Sequence, residues 1–247
     1  MHKLHAFFIA VQFLTRIPVP QMQQVSDKNV GRSMLYYPLV GLIIGVFLFS
    51  VAWLSTTSST FLSAALVLGT WVLITGALHL DGLADSADAW IGGNGDVERS
   101  LEIMKDPYSG PVAVVVLLLV LLLKLTAIES IISSGDLLLL LIAPVIARAL
   151  MPLLLLTTPY VRNIGLGTAM VENLPPKKAV YTLLLLCALF SLYFVSITVV
   201  IAAAICFFLI RKIMMNRLGG TTGDTAGALL EISETVMLVA IVFQKNN

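Results

Sequence analysis

Long apolar runs separated by short polar segments divide the sequence. Runs at 35–54, 61–78, 112–128, 137–156 and about 224–243 each approach the roughly 20 residues with which a helix crosses a bilayer. The apolar stretch 179–210 is longer. At about 1.5 Å per residue it overshoots a hydrocarbon core of about 30 Å, so the pattern predicts two spans there, with a turn near Ser196. Seven spans follow. The first twenty residues read differently: Leu4, Phe7, Phe8, Val11 and Leu14 share one helical face, His5, Gln12 and Arg16 fall on another, and Pro18 and Pro20 close the run. This describes an amphipathic helix in the membrane interface rather than a signal peptide, since polar residues interrupt it and no small-residue cleavage site follows.

Composition agrees. Of the 247 residues, 58% are hydrophobic and 12% charged, against about a quarter charged in soluble domains. The class is all-α: a polytopic integral membrane helix bundle forming one domain over 1–247. A net charge of +1, with basic residues scattered at helix ends, gives no basis for nucleic-acid binding. Cys187 and Cys206 lie inside apolar runs and read as buried core.

Charge placement sets the topology. With a cytoplasmic amino terminus, segments 1–34, 79–111, 157–178 and 211–223 share one side and hold every Lys and Arg except Lys124, Arg148 and Lys245; loops 55–60 and 129–136, and the turn near 196, hold none. That is the positive-inside pattern. The motif-bearing segments therefore share one face, with 79–111, 157–178 and 211–224 as the candidate catalytic face.

Three clusters there could carry chemistry. His79, Asp81, Asp85 and Asp88 open the first; the aspartates stand at i, i+4 and i+7, on one helical face. Like charges so placed repel unless a cation or protons intervene, and Mg²⁺ takes a few carboxylates together with phosphate oxygens and water. A solvated acidic helix end is the plain alternative. The second cluster, LEIMKDPYSGP, offers Glu102 and Asp106 at i, i+4 with Lys105, a workable phosphate binder, beside them; a capped loop would look similar. The third is GGTTGDTAGALLEISE, in which Asp224 and Glu231 share a face and Thr221, Thr222 and the glycines could offer donors to phosphate. Read blandly, Asp224 is a helix cap beside a glycine turn.

Glu231 lies inside an apolar span, where a carboxylate costs about 2.5–3.5 kcal/mol without a partner. Arg148, between Pro144 and Pro152, is expected to face the bundle interior and pair with Glu231 or bind phosphate; Lys124 is expected to snorkel outward. Arg16 is placed either to reach the site or to anchor at headgroups. Together the clusters describe a metal-assisted diphosphate site, open to phosphotransfer, prenyl transfer or diphosphate hydrolysis.

The segments HLDGLADSADAW (79–90), LEIMKDPYSGP (101–111) and LGGTTGDTAGA (218–228), with FLTRIPVP (13–20) and PLVG (38–41), resemble the cobalamin synthase family of adenosylcobinamide-GDP ribazoletransferases. The resemblance implies Mg²⁺-dependent transfer of adenosylcobinamide phosphate from adenosylcobinamide-GDP to α-ribazole or its 5′-phosphate, with release of GMP. It places the chain in the bacterial inner membrane with its site facing the cytoplasm. The expected partners are those small molecules and the lipid bilayer, with no nucleic acid and homo-oligomerisation left open. On this reading Asp81, Asp85, Asp88 and Asp224 hold one or two Mg²⁺, and Lys105 and Arg148 stabilise the departing GMP. Glu102, Asp106, Thr222 and Glu231 complete the substrate-binding set; the ribazole 3′-hydroxyl attacks, and an aspartate or His79 takes its proton.

Three other classes fit less of the chain. CDP-alcohol phosphotransferases follow Asp-Gly with Ala-Arg, whereas Ala84 stands one position early here and Asp85 stands where no Arg appears. Intramembrane prenyltransferases use paired aspartate-rich motifs, which the glycine-rich third cluster fits poorly. A transporter would carry polar groups on both sides of the bilayer, and no inverted repeat is visible.

Overall fold

Serine, glycine and proline set where the helices start and stop. The computed structural model describes residues 2–20, 25–192 and 197–245. It begins with α1 (His2–Leu14) and α2 (Asp27–Ser33), the latter capped by Ser26. A 3₁₀ turn then leads into α3 (Tyr37–Leu54), which has Pro38 in its first turn, and Ser59 caps α4 (Thr60–Thr75). Next come α5 (Leu78–Gly92), α6 (Val97–Ile103) capped by Asp96, and α7 (Pro111–Ser133), opened by Gly110 and Pro111. A 3₁₀ stretch, Leu137–Leu141, feeds α8 (Ile142–Thr157), and α9 (Leu166–Asn173), α10 (Pro176–Leu192), α11 (Ile197–Leu218) and α12 (Gly223–Lys245) follow. The described residues form no strand beyond an isolated parallel bridge between Tyr160 and Thr221.

The fold class is as expected: an all-helical membrane bundle. The count differs. Among the described residues five helices are long and apolar enough to cross a membrane, or six if α4 and α5, bent by 87°, form one broken span. Of the two spans expected over 179–210, α10 has only 17 residues and ends where the described residues stop, and the turn expected near Ser196 lies outside them.

In the bundle α12 packs against α5, α7, α8 and α11, and α3 against α8. Small residues let the last pair approach closely: a Cβ on Gly41 would stand 2.8 Å from the Val145 Cα. The N-terminal helix turns a slightly different face inward than its largest side chains suggest. Ala6, Ile9, Ala10, Val11 and Leu14 are buried and Leu4 is exposed, because the alanines allow close packing onto α2 and α3. Cys206 is buried as expected, but Cys187 is exposed.

Lys124 does not snorkel. It is 2% exposed, donates to Glu231 Oε2 and Glu234 Oε2 at 2.6 Å each, and lies 4.6 Å from the Trp71 ring centroid. Arg148 faces inward as expected, but its ion pair is with Glu234 rather than Glu231. Two cations and two carboxylates thus form a buried, charge-balanced quartet joining α7, α8 and α12. Pairing offsets the cost of each charge's desolvation, which explains why four ionic side chains persist in an apolar interior.

Candidate active site

The site begins at a bend. Gly76 and Ala77 both adopt left-handed backbone, at φ 62° and 56°, and turn α5 by 87° from α4. Arg16 lies across Gly76, where no side chain would fit, and its N–H donates to the Ile74 carbonyl at 2.6 Å. The amino-terminal segment therefore braces the bend.

Beyond it α5 packs on the start of α12. A Cβ on Gly82 would stand 2.8 Å from the Asp224 carbonyl oxygen, and one on Gly227 would stand 3.3 Å from the His79 backbone. These two glycines bring Asp81 and Asp224, 143 positions apart in sequence, to one cavity. The loop after α8 closes its side. Val161 donates to the Thr221 carbonyl at 2.9 Å and Thr221 to that of Pro159 at 2.8 Å, with Gly220 pressed against Pro159. This zipper delivers Arg162, whose Nη2 lies 2.6 Å from Asp224 Oδ2.

The cavity measures about 310 Å³. Its polar wall carries Asp81, His79, Tyr160, Arg162 and Asp224 together with Gly165, Gly167 and Gly223, and its apolar wall carries Phe13, Met34, Tyr37, Met151, Leu155 and Met170. Both ring nitrogens of His79 are buried without a hydrogen-bond partner. Asp85 follows one turn after Asp81, half-buried. Burial, then the charges of Asp81, Asp224 and Asp88, push its carboxyl up to about 6. Excess negative charge is thus built into this corner, with Arg162 the one Lys or Arg on the cavity wall among the described residues.

A family model described as cobalamin-5-phosphate synthase matches residues 6–242. The chain belongs to that family.

Relatives of this cobalamin-5-phosphate synthase family member include proteins named adenosylcobinamide-GDP ribazoletransferase. The one from Pseudomonas savastanoi pv. phaseolicola is 50% identical over 95% of this chain and 98% of its own length. Those from Pseudomonas putida F1 and Pseudomonas aeruginosa PAO1 are 53% and 48% identical, over 95% and 96% of this chain and 97% and 98% of theirs. No solved structure matches the chain. The expectation of a membrane-embedded transferase of cobalamin biosynthesis is met at the level of the family.

Within this family member the sequence-selected residues separate. Asp81, His79 and Asp224 line the cavity. Asp88 caps α7: one carboxylate oxygen accepts from the Gly110 N–H and the other from that of Ala113, the latter at 2.9 Å. Thr222 is buried and caps α12, accepting from the Thr225 N–H at 3.2 Å while its own N–H donates to Thr225 Oγ1 at 2.9 Å. That corrects two readings, since Thr222 faces inward rather than toward a ligand, and Asp224, not being the cap, is free to meet Arg162. Glu102 pairs with Arg99 on the surface, Asp106 accepts from the Tyr108 N–H, and Lys105 is exposed beside them. Arg148 and Glu231 are held in the buried quartet. None of these last five lines the cavity.

Arg162 and Tyr160 were not selected from the sequence. The signal in the sequence is an arginine six residues past the apolar run 137–156, followed by Gly165 and Gly167, in a segment that belongs to the candidate catalytic face.

Among the described residues no group of three His, Cys, Asp or Glu side chains forms a ready-made metal cage. The donors nevertheless suit Mg²⁺, which is typically held by one or two carboxylates and completed by substrate phosphates and water. Asp81 and Asp224 meet that requirement, and the raised affinity of Asp85 for a proton marks a negative field that a cation would relieve.

Proposed function

We propose that this chain is an adenosylcobinamide-GDP ribazoletransferase of the cytoplasmic membrane, with its site on the cytoplasmic face. The observation that carries the reading is the meeting of Asp81, Asp224 and Arg162, from three separate segments, at one cavity with an apolar back wall. The relatives' names supply the substrate, and the cavity supports a way of holding it. At about 310 Å³ it is at the small end for ligand sites. It suits the diphosphate and part of a nucleoside, leaving the bulkier corrinoid at the mouth.

Asp81 and Asp224 would hold Mg²⁺, which supplies charge neutralisation on the diphosphate. The 3′-hydroxyl of α-ribazole or its 5′-phosphate attacks the phosphorus on the corrinoid side. A new P–O bond forms there, the bond to the GMP phosphate breaks, and GMP leaves. Asp85, one turn along α5 from Asp81 and outside the cavity lining, accepts no hydrogen bond from a described residue and takes the hydroxyl proton. Asp88 acts at one remove, fixing the start of α7 against α5. Phe13, Met34 and Met170 exclude water from the inner wall, which strengthens each polar contact made there.

The test is direct. Purified protein in nanodiscs receives adenosylcobinamide-GDP and α-ribazole 5′-phosphate, with Mg²⁺ or with chelator, and GMP is measured. Release with Mg²⁺ and none with chelator is expected; no release under Mg²⁺ removes the proposal.

A further inference from the structure

We infer that Arg162 exchanges partners during turnover: its ion pair with Asp224 opens when the substrate diphosphate enters, and the guanidinium transfers to phosphate. The inference rests on the reading of the cavity as a diphosphate site.

Arg148, in the bundle interior, and Arg162, on the cavity wall, differ in a way that supports this. Arg148 has a fully buried side chain, locked to Glu234 and to the Pro144 carbonyl. The Arg162 and Asp224 side chains are 29% and 21% exposed, and a partly solvated pair is held weakly enough to be replaced. Arg162 spends one nitrogen on Asp224, and its Nε is buried with no acceptor. A guanidinium offers five N–H donors and binds phosphate through two at once, so its present partner leaves most of its capacity unused.

The backbone on both sides is fixed. Val161 is zipped to Thr221, and the Arg162 carbonyl accepts from Thr168 Oγ1 at 2.9 Å. Exchange is therefore a side-chain rotation about an anchored Cα rather than a loop movement. Electrostatics gives it direction. A diphosphate brings negative charge to a wall that already carries Asp81 and Asp224, and Arg162 is the protein cation there. Moving it to phosphate leaves the Asp224 carboxylate uncompensated and ready for the metal that accompanies the substrate. The arginine thereby couples substrate arrival to completion of the metal site.

The coupling predicts opposite signs for two binding measurements on Arg162→Gln. Mn²⁺ binding without substrate, followed by electron paramagnetic resonance, should tighten several-fold, because Asp224 is released. Binding of adenosylcobinamide-GDP with Mg²⁺, followed by equilibrium dialysis without ribazole, should weaken by about tenfold or more. Arg162→Lys should keep the fold and fall between, since an ammonium restores charge without the bidentate fit. In Arg162→Gln/Asp224→Asn the gain in Mn²⁺ binding should vanish. Unchanged or weaker Mn²⁺ binding in Arg162→Gln, or wild-type substrate binding, overturns the exchange. If the wild-type protein binds no adenosylcobinamide-GDP, the functional reading falls first and the exchange with it.

Discussion

Asp224 and Asp88 stand out in the sequence for the same reason, an acidic side chain at the edge of an apolar span, yet the fold gives them different work. Asp224 has its carboxylate in the cavity, partly exposed and paired with Arg162. Asp224→Asn keeps the shape and one acceptor while removing the charge, so kcat should drop by about 10²–10³, with the circular dichroism spectrum and melting temperature preserved. Asp88 has both oxygens on the N–H groups that open α7. Asp88→Ala should cost about 1–2 kcal/mol of stability, read as a lower melting temperature in detergent, and Asp88→Asn should recover part of it. Equal melting temperatures for Asp88→Ala and the wild type would contradict the capping role. The i, i+4, i+7 spacing revealed a shared face, but not that Gly110 and Ala113 would meet its last member. A spacing rule describes one helix; a cap that comes from 22 residues away depends on how the chain folds back.

At the scale of elements, the decisive contact is α5 on α12, made possible by Gly82 and Gly227. Gly82→Val adds bulk where even a Cβ stands 2.8 Å from the Asp224 carbonyl oxygen. Overpacking of this kind costs about 1–3 kcal/mol and forces the helices apart. Because Asp81 and Asp224 ride on these two helices, ribazoletransferase activity should fall far more than the melting temperature. A variant that loses stability and keeps full turnover would show that this approach does not set the site. Helix identities were largely legible from the hydrophobic pattern, since the apolar runs other than 179–210 are each mainly helical. The end of the second run was not. Hydropathy puts it at 78, whereas the helix stops at Thr75 because Gly76 and Ala77 turn left-handed under Arg16, a tertiary contact that hydropathy does not register. The segment carrying Arg162 is legible as part of the catalytic face, but Arg162 itself does not stand out, because its position depends on a two-bond zipper between that segment and Thr221 and not on any local propensity.

For the molecule as a whole, the question is what holds three spans in register beneath a polar site. The quartet of Lys124, Arg148, Glu231 and Glu234 sits where α7, α8 and α12 meet, and its charges cancel. All four residues are visible in the sequence as ionic side chains inside apolar runs, and a need for partners follows from burial alone. Their pairing does not, because the facing direction and depth of each helix are set by packing; that is why Lys124 was expected at the interface. Removing one member should be far worse than removing a matched pair. Glu234→Leu leaves two cations facing Glu231 alone, and breaking such a buried pair costs about 3–5 kcal/mol. Arg148→Met alone leaves two carboxylates sharing Lys124 and should also destabilise. Combined, the two substitutions leave Lys124 with Glu231, restore neutrality and add apolar contacts. The double variant should therefore unfold at a higher temperature in detergent than either single variant, measured by loss of a monodisperse peak after heating. Additive losses in the double variant would mean that the four residues act independently, and the quartet would then not be what aligns α12 beneath the site.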